Sequence, residues 1–228
     1  MAIVNLSGVS WSSISKVNGI TKASIAKVNG ISAGPPIQTA TLSATKYGYY
    51  TAISTTSWTT VVNALSSINN STTFLALSSG AYPARTGTSY TNTRINLQFN
   101  LSSYSAYTIL SAKLKFNVNG IDTGATPNEV YVLDLGGNTF DFPTLNNANY
   151  SLVYQQGNLD EYATDTINNT GLYELGLSSA AITVANTHPS VYSMALLTYQ
   201  DRNDTAPSLN TQYVISINGT PELEITYQ

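Results

Sequence analysis

The chain contains no cysteine among its 228 residues, which excludes disulfide bracing, thiolate metal sites and thiol catalysis. Histidine is nearly absent too, with His188 the single copy, so an imidazole-based catalytic pair or metal triad has almost no material to draw on. Charged side chains make up 9% of the sequence, against roughly 25% in an average soluble domain. Ser, Thr, Asn and 16 tyrosines fill the polar positions instead. Such a surface suits closely packed copies, because like-charge repulsion between them is small. No apolar run approaches the roughly 18 residues of a membrane-spanning helix, so no membrane partner is expected.

Acidic residues are missing from the first forty positions, where Lys16, Lys22 and Lys27 give a charge of +3. The remainder holds the other six of nine basic residues and all twelve acidic ones, a balance of −6. A body of that sign offers no basic surface for a phosphate backbone, and nucleic acid is not an expected partner.

What the N-terminal region does have is a repeat. Ser13-Ile14-Ser15-Lys16-Val17-Asn18-Gly19-Ile20 returns as Ser24-Ile25-Ala26-Lys27-Val28-Asn29-Gly30-Ile31, and seven of eleven aligned positions are identical. Each copy carries Asn-Gly, the strongest short turn signal, between β-branched residues, so each reads as a strand and a tight turn rather than as helix. Two such units cannot bury their own apolar residues, since a stable stack needs about three or more repeats. Trp11, Ile14, Lys16, Val17, Asn18, Gly19, Ile20, Ile25, Lys27, Val28, Asn29, Gly30 and Ile31 are therefore the expected partner-docking residues. Ser32-Ala33-Gly34-Pro35-Pro36 then breaks regular structure. The expected organisation is an attachment segment over residues 1–38 and a second unit over residues 39–228.

Beyond the linker the alternation of half-buried strands is clear. Arg94-Ile95-Asn96-Leu97-Gln98-Phe99-Asn100-Leu101 places an apolar residue at every second position, which predicts one face on a core and a polar face in solvent. The pattern returns at 110–118, 213–217 and 222–227. Apolar or alternating runs at 74–77, 130–135, 172–177 and 192–199 bring the count to about eight strands. Asn-Gly and Gly-Gly punctuation between them predicts an all-β fold, an antiparallel, jelly-roll-like β-sandwich preceded by a short repetitive arm. Only Trp58 to Ile68 has helical spacing, with Val61, Leu65 and Ile68 on one side.

Catalytic readings find little support. His188 precedes Pro189 in a turn-like Thr-His-Pro-Ser stretch. Asp160 and Glu161 are adjacent, so on a strand they would point to opposite faces rather than converge on one bond. No enzymatic activity and no cofactor are expected. A calcium site needs six or more oxygens, and Asp122, Asp134, Asp160, Glu161 and Asp165 form no compact binding loop, so a structural cation would require them to converge in space from separate segments. Aromatic rings remain as sugar-stacking candidates, with Tyr47, Tyr49, Tyr50 and nearby Trp58 the first group to consider.

Two stretches resemble known families. Thr93 to Ser103, followed by Thr108 to Phe116 and by the closing run Pro221-Glu222-Leu223-Glu224-Ile225-Thr226-Tyr227, resembles jelly-roll domains of the DNRLRE type. These occur in bacterial and archaeal surface proteins and are related to carbohydrate-binding modules. In that family an arginine opens a strand that ends in a Phe-Asp-Leu-Ser-like corner; here the arginine is Arg94, and Asn100 stands in place of the corner Asp. The stretch from Asn119 to Thr187 lacks the family's tryptophan-rich segment. The "SISKVNG" repeats resemble segments of phage structural proteins, especially tail and head-fibre proteins.

The resemblance implies a bacteriophage virion component, as capsid decoration, head fibre or tail part, attached through the N-terminal repeats. Its partners would be other virion proteins and copies of itself. The N-terminus lacks a basic stretch leading into an apolar core, so the expected location is the virion, after synthesis in the host cytoplasm and release by lysis. The alternatives are a module that binds host glycans and a self-assembling surface filament.

Overall fold

Alternating runs become strands where neighbouring runs satisfy their backbone groups, and here every ladder is antiparallel. A computed structural model of the chain describes residues 5–6, 9–10, 13–17, 20–21, 27–28, 31–32, 36–54, 57–63, 67–69, 74–136 and 160–228. Six short strands come first: β1 (Asn5–Leu6), β2 (Val9–Ser10), β3 (Lys16–Val17), β4 (Ile20–Thr21), β5 (Lys27–Val28) and β6 (Ile31–Ser32). The body then begins with β7 (Gln38–Ser43), β8 (Lys46–Ser54), helix α1 (Trp58–Asn63), β9 (Ser67–Asn69), β10 (Phe74–Ala84) and β11 (Gly87–Phe99). It continues with β12 (Ile109–Thr123), β13 (Glu129–Gly136), β14 (Glu161–Thr166), β15 (Gly171–Gly176), helix α2 (Ser179–Thr187), β16 (Tyr192–Thr198), helix α3 (Tyr199–Arg202) and β17 (Thr211–Tyr227).

From β7 to β17 the strands form one sheet in the order β14-β13-β16-β11-β10-β17-β12-β15, with β7 on β17 and β8 and β9 on the far side of β11. The sheet folds over into a nearly closed, barrel-like sandwich, the all-β fold the sequence predicts. At Arg94 strand β11 changes neighbours. On one edge β11 pairs with β10 as far as Thr93 and with β16 from Ile95 onward, while β8 follows its other edge from Tyr90 to Gln98. Just past β15, Leu177 N–H reaches Ala112 O on β12 at 2.9 Å, and Ser178 N–H then crosses to Tyr162 O on β14 at 2.7 Å.

Helix α2 lies outside the sequence expectations. The Ser178 hydroxyl caps it by accepting from Ala181 N, and Ala181 and Ala185, one turn apart, are its buried residues. Asn186 then acts as a stand-in ladder partner for β12: it accepts from Ile109 N at 2.8 Å and donates to Ile109 O at 3.0 Å. The expected helix from Trp58 to Ile68 is shorter than its pattern, because chain continues into β9, which pairs with β8. The two runs at 213–217 and 222–227 join into the single long strand β17.

The main core lies inside the sandwich and gathers Leu77, Ile95, Leu97, Phe99, Leu114, Phe116, Leu196, Ile215 and Ile225. On β12 and β17 the alternation behaves as expected, with Lys113, Lys115, Glu222 and Glu224 on the outer side. There Lys113 and Lys115 interleave with Glu174 and Glu224 in four ion pairs of 2.8–3.8 Å.

On β11 the expectation fails. Arg94 and Asn96 are wholly buried and Gln98 is 5% exposed, although the pattern assigned this face to solvent. A second core covers it: α1 lays Trp58, Val61 and Val62 over Tyr50, Ala52, Leu133, Leu135, Ala195 and Leu197. All seven residues of β16 are consequently buried.

A polar network is sealed beneath that layer. The Arg94 guanidinium donates to both Asp201 carboxylate oxygens at 2.6 Å and to Val62 O at 2.9 Å. The Thr198 hydroxyl caps α3 by accepting from Asp201 N at 3.3 Å and lies 2.5 Å from Ser79 Oγ, which in turn donates to Asn92 Oδ1 at 2.9 Å. One fork-shaped cation thus ties β11, the C-terminal carbonyl of α1 and the start of α3 together.

Two outcomes follow. Arg94→Met alone should lower the unfolding free energy by about 3–5 kcal/mol in urea titrations, because it strands a buried carboxylate, whereas the double change Arg94→Met with Asp201→Leu should cost less. The second concerns alkaline pH. Burial pushes the phenols of Tyr162, Tyr192 and Tyr213 well above the usual tyrosine range. Burial, together with the hydrogen bond it donates to Glu129, pushes Tyr131 up to about 12. The folded state therefore holds protons that the unfolded state releases, and stability present below pH ~10 is lost as pH rises above it. Tyrosinate absorbance should show these phenols ionising only as the fold melts; a single titration of all 16 tyrosines with the fold intact would contradict this.

Candidate functional site

The N-terminal strands form three two-stranded hairpins. Leu6 pairs with Val9 and Asn5 with Ser10; Val17 pairs with Ile20 and Lys16 with Thr21; Val28 pairs with Ile31 and Lys27 with Ser32. The register is the same in all three, and the first residues, 5, 16 and 27, are spaced by eleven. In each case two residues connect the paired positions, Ser7-Gly8, Asn18-Gly19 and Asn29-Gly30, a length that favours turns needing φ > 0 and hence glycine. The Asn-Gly repeat marks the second and third units but not the first. Its signal is thin, since only Ile3, Gly8 and Ser10 match later copies at the same period.

Each hairpin is a sheet of its own, and no ladder joins it to another hairpin or to the body among the described residues. Of the expected docking residues, Lys16 is exposed, Ile14 and Val17 are half-buried, and Ile20 is 56% exposed. Lys27, Val28 and Ile31 occupy the matching strand positions of the third hairpin. Trp11, Asn18, Gly19, Ile25, Asn29 and Gly30 lie outside the described residues.

The aromatic group is not brought together. Alternation along β8 sends Tyr47 and Tyr49 toward the main core, where both are half-buried, and the Tyr47 hydroxyl lies 3.0 Å from Thr220 Oγ1. Tyr50 points the other way and is wholly buried, as is nearly all of Trp58, which meets Tyr90 edge-on at 6.1 Å. A stacking platform built on Tyr50 and Trp58 is therefore corrected: their rings belong to the second core because α1 closes over that face.

His188 ends α2 on the surface, with its ring Nδ1 3.0 Å from Thr187 Oγ1. Asp160 precedes β14 and Glu161 begins it. Among the described residues no three of His, Asp and Glu converge as metal ligands, and no helix is long and apolar enough to cross a membrane. An open cleft of roughly 200 Å³ lies between the loops at one end of the sandwich, lined by Thr126, Gln200, Thr205, Pro207, Ser208 and Thr211 among others, with no ionisable side chain in its wall. Gln200 Nε2 donates to Pro127 O at 3.3 Å there. The wall holds neither a nucleophile–base pair nor a convergent carboxylate pair.

No protein-family model matches the chain, and no characterised protein matches it in sequence. The three hairpins are the elements that the ladders of the body do not account for among the described residues. The buried rings should behave as core. Trp58→Ala should cost about 3–5 kcal/mol of stability in denaturant titrations, and a stability loss below about 1 kcal/mol would place the ring outside the core.

Proposed function

We propose that this protein is a structural component of a bacteriophage particle, attached through its N-terminal hairpins and displaying the β-sandwich. The observation that carries the reading is the trio of hairpins in one register at eleven-residue spacing, tied to the body by no ladder among the described residues. A repeated docking unit before a separate β body is the layout of an anchored, displayed domain. The low charge of the chain, 9%, supports it, because closely packed copies repel little. The resemblance of the repeats to segments of phage fibre proteins supports it as well. Capsid decoration, a head fibre and a tail part all fit this layout.

The glycan-binding alternative has no comparable support, since half of its aromatic group is enclosed. The attachment reading is tested in the full-length protein. Val has no access to the φ > 0 conformations that a two-residue hairpin connection needs, so Gly19→Val with Gly30→Val should reduce incorporation into particles by at least about tenfold while leaving the melting of the body unchanged. Normal incorporation of that variant would sink the reading.

A further inference from the structure

The arm poses a physical problem that the body does not. Each hairpin has two residues per strand, and an isolated two-stranded hairpin is marginal in water even when longer. Ordering costs about 1–2 kcal/mol per residue, and burying one Val, Leu or Ile side chain returns roughly 1.5–3 kcal/mol only if it leaves water completely. Ile20 is 56% exposed in the single chain, so its own chain does not supply that burial. The hairpins need a surface from elsewhere, and three in identical register need three equivalent surfaces at the same spacing.

One copy of the body presents any given surface once, and its strands carry no eleven-residue repeat. Among the described residues it offers no series of three equivalent surfaces to receive the hairpins. The arm of a second copy does: it offers Leu6 with Val9, Val17 with Ile20 and Val28 with Ile31 at the same intervals. We propose that the arms of neighbouring copies of this chain associate with one another, hairpin against hairpin and apolar pair against apolar pair. The inference rests on the attachment reading's claim that the hairpins require a partner. It adds that the protein enters the particle as an oligomer joined at its arms. Three weak contacts in tandem suffice, because the second and third form at high effective concentration once the first is made.

The lysines set the sign of the salt dependence. Lys16 stands one position from Val17 on its strand, and neighbouring residues of a strand face opposite sides; the repeat places Lys27 beside Val28 in the sequence in the same way. The apolar pairs meet while the ammonium groups remain in solvent, where arms of +3 each repel until salt screens them over roughly 8 Å. Arm-to-arm association therefore strengthens with salt, whereas docking of the arm on the −6 body of another copy would weaken.

Sedimentation velocity of the full-length protein reads this directly. Association should grow with concentration and with added NaCl, and should be lost in Val17→Asp with Val28→Asp while the body's melting stays constant. Because the chain has no cysteine, Ile20→Cys gives a sole thiol on the arm. Under mild oxidation it should form covalent dimers at least about tenfold faster than Leu172→Cys, a control on β15, where Leu172 is 65% exposed. A protein that stays monomeric, association that survives the double aspartate change, or association weakened by salt would each overturn the inference. If the protein is monomeric yet still enters particles through intact hairpins, this inference falls and the attachment reading stands. If it self-associates through its arms but never joins a particle, the attachment reading falls instead.

Discussion

A guanidinium sealed away from water joins three elements of the body. Arg94 sits where β11 changes neighbours from β10 to β16, and its bidentate pair with Asp201 is fully buried on both sides. Desolvating two charges is costly, and the bonds the fork makes offset that cost: two to the carboxylate and one to the carbonyl of Val62. That third bond satisfies a carbonyl at the C-terminal end of α1, where the helix has no backbone donor of its own to offer. The same ion pair thereby fixes the strand fork, the position of the covering helix and the start of α3.

The two halves of the sandwich differ as a result. The β12–β17 half is wet on its outer face, and its lysines and glutamates form an exposed charge network of modest worth. The β11–β16 half is buried on both faces, and its second face carries Asn92, Arg94, Asn96, Ser193 and Thr198 under a lid of aromatic and aliphatic residues. Asn92 and Thr198 are joined through Ser79, and Ser193 accepts from Gln98, so in this apolar setting their geometry is mutually constrained, whereas the Asn96 amide is buried there without a hydrogen-bond partner. Burial also explains the tyrosines: the phenols of Tyr162, Tyr192 and Tyr213 resist ionisation because an anion has no water to solvate it.

The arm obeys the opposite regime. Its hairpins are local, with paired residues three and five positions apart, so their register comes from turn chemistry and needs no distant contact. Local pairing alone does not bury apolar surface, and the proposal that the arm attaches the protein to a partner rests on that.

The sequence by itself determined the strands whose one face stays wet, because solvent on one side and core on the other writes period two into the chain; β12 and β17 are the clear cases. It also determined two of the hairpins through the repeated Asn-Gly. The first hairpin escaped because Ser7-Gly8 is a weaker signal with few matching neighbours. Strand β8 escaped because both of its faces meet protein, so Tyr47, Tyr49 and Tyr50 show no alternation. Helix α2 escaped because its buried side is only two alanines. The fate of Arg94 was decided by tertiary structure alone. Its polar stripe reads as surface until α1 covers it, and its partner lies 107 residues away, a separation across which no local pattern carries information.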